Sequence, residues 1–331
     1  MVALILQACS GPLDEQVWLS VDGADLRLRM QGDTSSGLWV VLLHGGPGGN
    51  GHEYDLGLWK DELETEGVLV TWDQRGQGAS RGSYDPETIT LQRMADDTEA
   101  GVSYVRSRAG AEADIVLMGH SWGGTLGTAA LLRTDVQGEL AGWVESDGAH
   151  DIPRLNRYAI QMFKDVGKQE IEAGRNVRTW REIVDFAQGV DPDDISLDEG
   201  SEINRYGFTA EELLVDGWDQ SVGGGEALRW GIGTPVPWWA GFSSGNRTSD
   251  LLLEEVEAAR FTEELPAIEV PTLLLWGGYD FVCPPELGQD ADALIPDSEL
   301  VIFEASGHSP MDAEAEAFSE ALLGWLADIG G

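Results

Sequence analysis

Short apolar runs bounded by turn residues alternate with helix-forming stretches over much of this chain, and that rhythm restricts it to an α/β sheet of mostly parallel strands. Eight runs read as strands: residues 17–21, 25–30, 38–43, 68–72, 115–119, 140–145, 272–276 and 299–303. The middle ones are apolar without interruption, as strands covered by helices on both faces must be. Helical patterns fall at 91–108, 122–132, 285–294 and 312–327. From about Asp151 to Leu265 the alternation stops. That region offers helical patterns at 154–172 and 176–190, a polar loop at 191–201 and a Gly- and Pro-rich stretch at 223–245. The expected organisation is a tether over residues 1–16, a core in two parts (17–150 and 265–331), and a helical cap (151–264) inserted after the sixth strand.

Charge narrows the partners. The chain of 331 residues carries 20 Lys plus Arg against 59 Asp plus Glu, a net charge of −39. Nucleic acid is a poor partner because phosphate binding needs a basic footprint. Residues 261–331 hold 15 acids and no Lys or Arg, so the field over that segment favours cationic ligands. No apolar run approaches the roughly 20 residues needed to cross a bilayer. The start, Leu6-Gln7-Ala8-Cys9, is similar to the tail of a bacterial lipoprotein signal with Cys9 as the acylated residue, but a basic n-region is missing. A cell-envelope lipoprotein and a cytoplasmic protein both stay open. Cys283 is the only other cysteine, which reads as a small buried thiol rather than half of a disulfide.

Three segments match Gly-x-Ser-x-Gly, centred on Ser80, Ser121 and Ser243. The pattern works chemically when the serine sits on a tight strand-to-helix turn, with its hydroxyl pushed out of the sheet and a helix N-terminus behind it. Only Ser121 has that setting, preceded by Ile115-Val-Leu-Met118 and followed by Trp122-Gly-Gly-Thr-Leu-Gly-Thr-Ala-Ala. Ser80 and Ser243 read as loop serines.

A serine needs a base and a group that orients the base. Of five histidines, His44 and His120 adjoin glycine-rich turns, and His52 and His150 lie in loops with solvated or hydrogen-bonding roles. His308, in Ser306-Gly-His-Ser-Pro310, follows the last strand, at the sheet end where ligands of open α/β folds bind. Asp280 follows the seventh strand and is the expected orienting acid, with Asp147, after the sixth strand, as its competitor. Two N–H donors must meet the developing oxyanion. The amide of Trp122 is one, and Gly46 in the bare loop His44-Gly-Gly-Pro-Gly-Gly49 is the other. That loop lacks the spacing and the lysine of a phosphate-binding loop.

The segments His44-Gly-Gly-Pro-Gly48, Asp73-Gln-Arg-Gly-Gln-Gly-Ala-Ser80, Gly119-His-Ser-Trp-Gly-Gly124, Trp276-Gly-Gly-Tyr-Asp280 with Cys283-Pro284, and Gly307-His-Ser309 resemble, in order and spacing, the α/β-hydrolase fold and within it the proline iminopeptidase group. The resemblance implies a mostly parallel eight-stranded sheet with an inserted helical cap. It implies a cofactor-free serine hydrolase with the triad Ser121, Asp280 and His308, releasing an N-terminal residue from short peptides. Arg75 would then brace loops. Family aminopeptidases hold the substrate ammonium with cap glutamates, one in a Trp-Glu-Gly type segment that is missing here. Glu202, Glu211, Glu212 and Glu226 are cap acids, and Trp230, Trp238 and Trp239 candidate walls, none matching by motif. An esterase or lactonase on the same machinery is the near alternative, and a non-catalytic ligand- or partner-binding protein the distant one. A serine at the elbow disfavours the aspartate-nucleophile relatives.

Overall fold

A computed structural model of the chain describes residues 12–82, 85–214 and 238–329, the side chains of 238–244 excepted. Its sheet contains β1 (Pro12–Val21), β2 (Ala24–Asp33), β3 (Leu38–Leu43), β4 (Val68–Asp73), β5 (Arg81–Gly82), β6 (Asp114–His120), β7 (Gly142–Ser146), β8 (Thr272–Gly277) and β9 (Ser298–Phe303). The order is β1-β2-β4-β3-β6-β7-β8-β9, with the two-residue β5 beside β2. Every pairing from β4 to β9 is parallel. β1 and β2 form an antiparallel hairpin that joins β4 antiparallel. The expected eight strands are all present, and β5 makes nine among the described residues.

The sheet is covered on both faces. Successive residues of β3 divide between two cores: Val41 and Leu43 pack with Leu91, Met94 and Val102 of α2 (Leu91–Ala109), Leu126 of α3 (Trp122–Arg133) and Leu287 of α8 (Pro285–Leu294). Val40 and Leu42 pack with Trp59 and Leu63 of α1 (Leu58–Glu66) and with Phe318 and Leu322 of α10 (Ala315–Ile329). The period of two along a strand produces this division.

The expected tether is corrected. Residues 12–16 belong to β1 and pair one by one with β2, from Pro12 opposite Asp33 to Gln16 opposite Arg29, across a hairpin turn at Asp22-Gly23. Both turn residues have positive φ, the conformation a two-residue hairpin needs. Cys9 and the rest of the lipoprotein segment lie outside the described residues. No described helix is long and apolar enough to cross a membrane.

The chain leaves the core at Asp151 and returns at Arg260, and these residues bridge each other. Ile152 N–H also donates to Ala259 and Phe261 N–H to His150, so the excursion is stitched at its base. Between them run α4 (Ile152–Glu172), α5 (Val177–Gly189), α6 (Leu197–Leu214) and α7 (Trp238–Glu257). Their own core of Ile160, Phe163, Trp180, Ile183 and Ile203 receives Phe281 from the sheet side. The polar loop expected over 191–201 is shortened at its end by α6. Ser196 and Glu199 explain why: the Ser196 side chain accepts from Glu199 N–H while Glu199 accepts from Ser196 N–H, a capping box that starts the helix. The helix expected over 312–327 is divided into α9 (Pro310–Ala313) and α10.

Candidate active site

Ser121 stands between β6 and α3 with φ 57° and ψ −122°, a conformation costly for a residue with a Cβ. The surroundings impose it. Ser121 N–H donates to Ser146 C=O (3.1 Å) at the end of β7, and Ser121 C=O accepts from Ala149 N–H (3.1 Å). α3 can approach the sheet only because Gly119 and Gly123 lack side chains. A Cβ on Gly119 would lie 2.3 Å from Gly123 O, and one on Gly123 2.1 Å from Leu43 O.

Three sequence-expected residues meet here. His308 Nε2 lies 2.9 Å from Ser121 Oγ and Nδ1 lies 2.8 Å from Asp280 Oδ2. The other Asp280 oxygen accepts from the amides of Val282 (2.8 Å) and Cys283 (2.7 Å). Asp147 is brought to the same spot but does not bond His308. It takes the Gly277 amide (2.8 Å) and the Ser146 hydroxyl (3.0 Å). Burial first, then the charge of Asp280, pushes its carboxyl well above the usual range, and it hydrogen-bonds Asp280. Asp147 is therefore the carboxyl of the pair that burial and its neighbour's charge push toward the neutral form, beside the acid that faces the histidine. Burial raises Asp280 too, but two backbone amides and the Asp147 proton work against that rise.

Glu211 of α6 closes the cluster from the cap. Its Oε1 accepts from Phe281 N–H (3.0 Å) and its Oε2 from His308 N–H (3.1 Å), so one cap carboxyl grips the backbone beside both Asp280 and His308. Burial, then Asp280, pushes Glu211 up to about 8 from 4.5. Between those two pH values the folded protein holds a proton that the unfolded chain releases, so this group makes stability fall as pH rises from 4.5 through 8. The melting temperature of Glu211→Gln is accordingly expected to decline less steeply across this range than that of the wild type. Parallel slopes would refute the assignment.

His120, next to Ser121, is turned inward. Its Nε2–H donates to His308 C=O (2.8 Å), and its Nδ1 accepts from Tyr54 Oη–H (2.7 Å), whose oxygen accepts from Gly45 N–H (2.9 Å). Burial, then His308, drives its pKa down to about 3, so it stays neutral. His52 bonds Asp55, and the fully buried His150 bonds Glu145. Ser80 accepts from Arg27 N–H and donates to Asp73 C=O, and Arg75 clamps Asp97 and the carbonyls of Val21 and Asp22, both as loop braces. Ser243, Trp238 and Trp239 have no described side chains, and Glu226 and Trp230 lie outside the described residues.

Gln74 joins the two sides of the expected oxyanion site, donating to His44 C=O (2.9 Å) and accepting from the Trp122 indole (2.8 Å). Gly46 has φ 124° and a Cβ there would strike the Gly48 and Gly49 amides, so the loop requires glycine. Gly46, Ser121 and Trp122 line one cavity of about 310 Å³. Ile152, Leu155, Leu253, Val256 and Val282 are its apolar wall, and Glu257 is the only charged side chain lining it among the described residues. Burial raises the Glu257 pKa, and Asn156 hydrogen-bonds it. The sequence reading missed Glu257 because Leu-Leu-Leu-Glu-Glu-Val-Glu looks like a solvated face. The available signal was spacing: Leu253, Val256 and Glu257 share one side of a helix. Of the acids that were singled out, Glu202 pairs with Arg205 and Glu211 grips backbone. Asp280, Cys283 and His308 bring one donor atom each within 4.8 Å of one another, but the Asp280–His308 hydrogen bond already engages two of them.

The family model described as "Alpha/beta hydrolase family" matches residues 40–321. The chain belongs to that family. It is similar to the proline iminopeptidase of Saccharolobus solfataricus, 25% identical over 95% of this chain and 93% of that one. Among solved structures it resembles a proline iminopeptidase-related protein from Thermus thermophilus (TM-score 0.61, 21% identity, 96% and 98% covered). It also resembles an esterase from Exiguobacterium antarcticum (TM-score 0.60, 19% identity, 95% and 100% covered). The chain is thus an α/β hydrolase similar in sequence to the proline iminopeptidases.

Proposed function

We propose that this α/β hydrolase is a serine aminopeptidase of proline iminopeptidase type acting on short peptides. One observation carries the proposal: the Ser121–His308–Asp280 hydrogen-bond chain opens on a cavity whose one charged wall among the described residues is the carboxyl group of Glu257. His308 takes the Ser121 proton as Oγ attacks the substrate carbonyl carbon. The Gly46 and Trp122 amides receive the oxyanion. As the amide C–N bond breaks, His308 returns the proton to the leaving nitrogen, and water then releases the acyl group by the same steps in reverse roles. Asp280 holds the imidazole tautomer that makes both transfers feasible.

The acyl part of the substrate occupies the apolar wall, and its ammonium reaches Glu257, where ion pairing offsets the burial that otherwise disfavours the carboxylate. Replacing Glu257 by Gln is expected to raise KM for prolyl anilide roughly 10- to 100-fold, the worth of a charged hydrogen bond. Turnover of a butanoyl ester, which has no ammonium, is expected to stay as in the wild type. Ester turnover without any anilide turnover would overturn the peptidase reading.

The apolar wall itself favours a second reading, an esterase or lactonase of small neutral acyl groups, and the likeness to the Exiguobacterium esterase runs the same way. The same pair of assays separates the two. Rapid labelling of Ser121 with a fluorophosphonate is expected and would exclude a non-catalytic binding protein; failure to label would restore it.

A further inference from the structure

Around an acyl carbon bound to Ser121 Oγ, three directions are already assigned: the oxyanion to Gly46 and Trp122, the acyl chain to the cavity, and the departing group to His308 Nε2, which must protonate it. The face of His308 that borders the departing group is therefore a separate surface. Phe208 meets it. The ring lies edge-on to the His308 imidazole, centroids 5.9 Å apart at 83°. Phe208 is 48% exposed, unusual for so large an apolar side chain, and it does not line the acyl cavity. It is also held in place. Phe208 and Glu211 are three residues apart on α6, hence on one face of the helix, and Glu211 is bonded to the amides of Phe281 and His308.

From this arrangement we infer that Phe208 is a specificity-determining residue for the leaving group: its open face packs against an apolar or aromatic group on the departing side of the scissile bond. The inference rests on the Ser121 hydrolase reading but holds for amides and esters alike. In peptide terms it selects the residue that follows the bond cut, a choice independent of the ammonium recognised by Glu257.

Kinetics distinguishes such a contact from a prop for His308, because the leaving group is gone before the acyl-enzyme is hydrolysed. The experiment compares wild type, Phe208→Ala and Phe208→Leu on prolyl and butanoyl esters of methanol and of benzyl alcohol, two alcohols of similar acidity and different size. In Phe208→Ala the ratio of kcat/KM for benzyl over methyl is expected to fall roughly tenfold. Deacylation rates and methyl-ester kcat/KM should remain as in the wild type, and Phe208→Leu should recover most of the ratio. An unchanged ratio overturns the inference, as does an equal loss on both esters or a slowed deacylation, either of which makes Phe208 a support for the imidazole. Wild-type protein inert toward both acyl series would instead sink the hydrolase reading, and this inference with it.

Discussion

Asp280→Asn is expected to lower kcat roughly ten-thousandfold while the protein stays folded. The Val282 and Cys283 amides, at 2.8 and 2.7 Å, demand an acceptor and will hold the new carbonyl oxygen where Oδ1 now sits. The amide nitrogen must then replace Oδ2, 2.8 Å from His308 Nδ1. A donor there forces Nδ1 to accept, so the imidazole proton moves to Nε2. In that tautomer His308 donates toward Ser121 Oγ and has no lone pair with which to take its proton. Asp147→Asn is the informative companion. Burial and Asp280 already push Asp147 toward its neutral form, and an asparagine, neutral and tolerant of φ 46°, places a donor there. Its kcat is expected within a few-fold of the wild type. Steady-state kinetics with circular dichroism checks both variants, and a reversal, with Asp147→Asn the crippled one, would transfer the acid's role to Asp147.

Gly123→Ala is expected to cost more than about 3 kcal/mol of stability, the range of severe overpacking in a core. The added Cβ would lie 2.1 Å from Leu43 O and 3.2 Å from His44 O, both main-chain atoms. Neither can rotate aside, so α3 must lift from β3 and carry the Trp122 amide away from Ser121. Activity should be lost with stability. Gly138→Ala is the control, since nothing lies within 4 Å of its new carbon, and it should unfold at nearly the wild-type urea concentration. Equal urea midpoints for the two variants would show that the elbow does not depend on this close approach.

Why some features were readable in the chain and others were not follows from the reach of the interactions. Strand runs, the Ser121 turn and the position of His308 after the last strand are local patterns, and the chain order of nucleophile, acid and base places them at one sheet edge. The hairpin strand extends back to Pro12 because its partner residues, up to Asp33, allow pairing that far, and an exposed edge strand carries little apolar signal. α1 escaped notice because only Trp59 and Leu63 of its nine residues are buried.

Sequence by itself determined the sheet class, the cap's existence as a break in the strand–helix rhythm, and which serine, histidine and pair of aspartates could meet. Tertiary structure decided how the four carboxyl groups Asp147, Asp280, Glu211 and Glu257 differ. Chain order sets Asp147 and Asp280 apart among the 59 acids of the sequence, but nothing in the chain says how the environments of the four differ. Their roles come from contacts between segments far apart: two amides and His308 for Asp280, the Gly277 amide for Asp147, the Phe281 and His308 amides for Glu211, and a cavity wall beside Asn156 for Glu257. Protonation and aim of a buried carboxyl depend on the dielectric and the dipoles around it, and those exist only once the chain has folded.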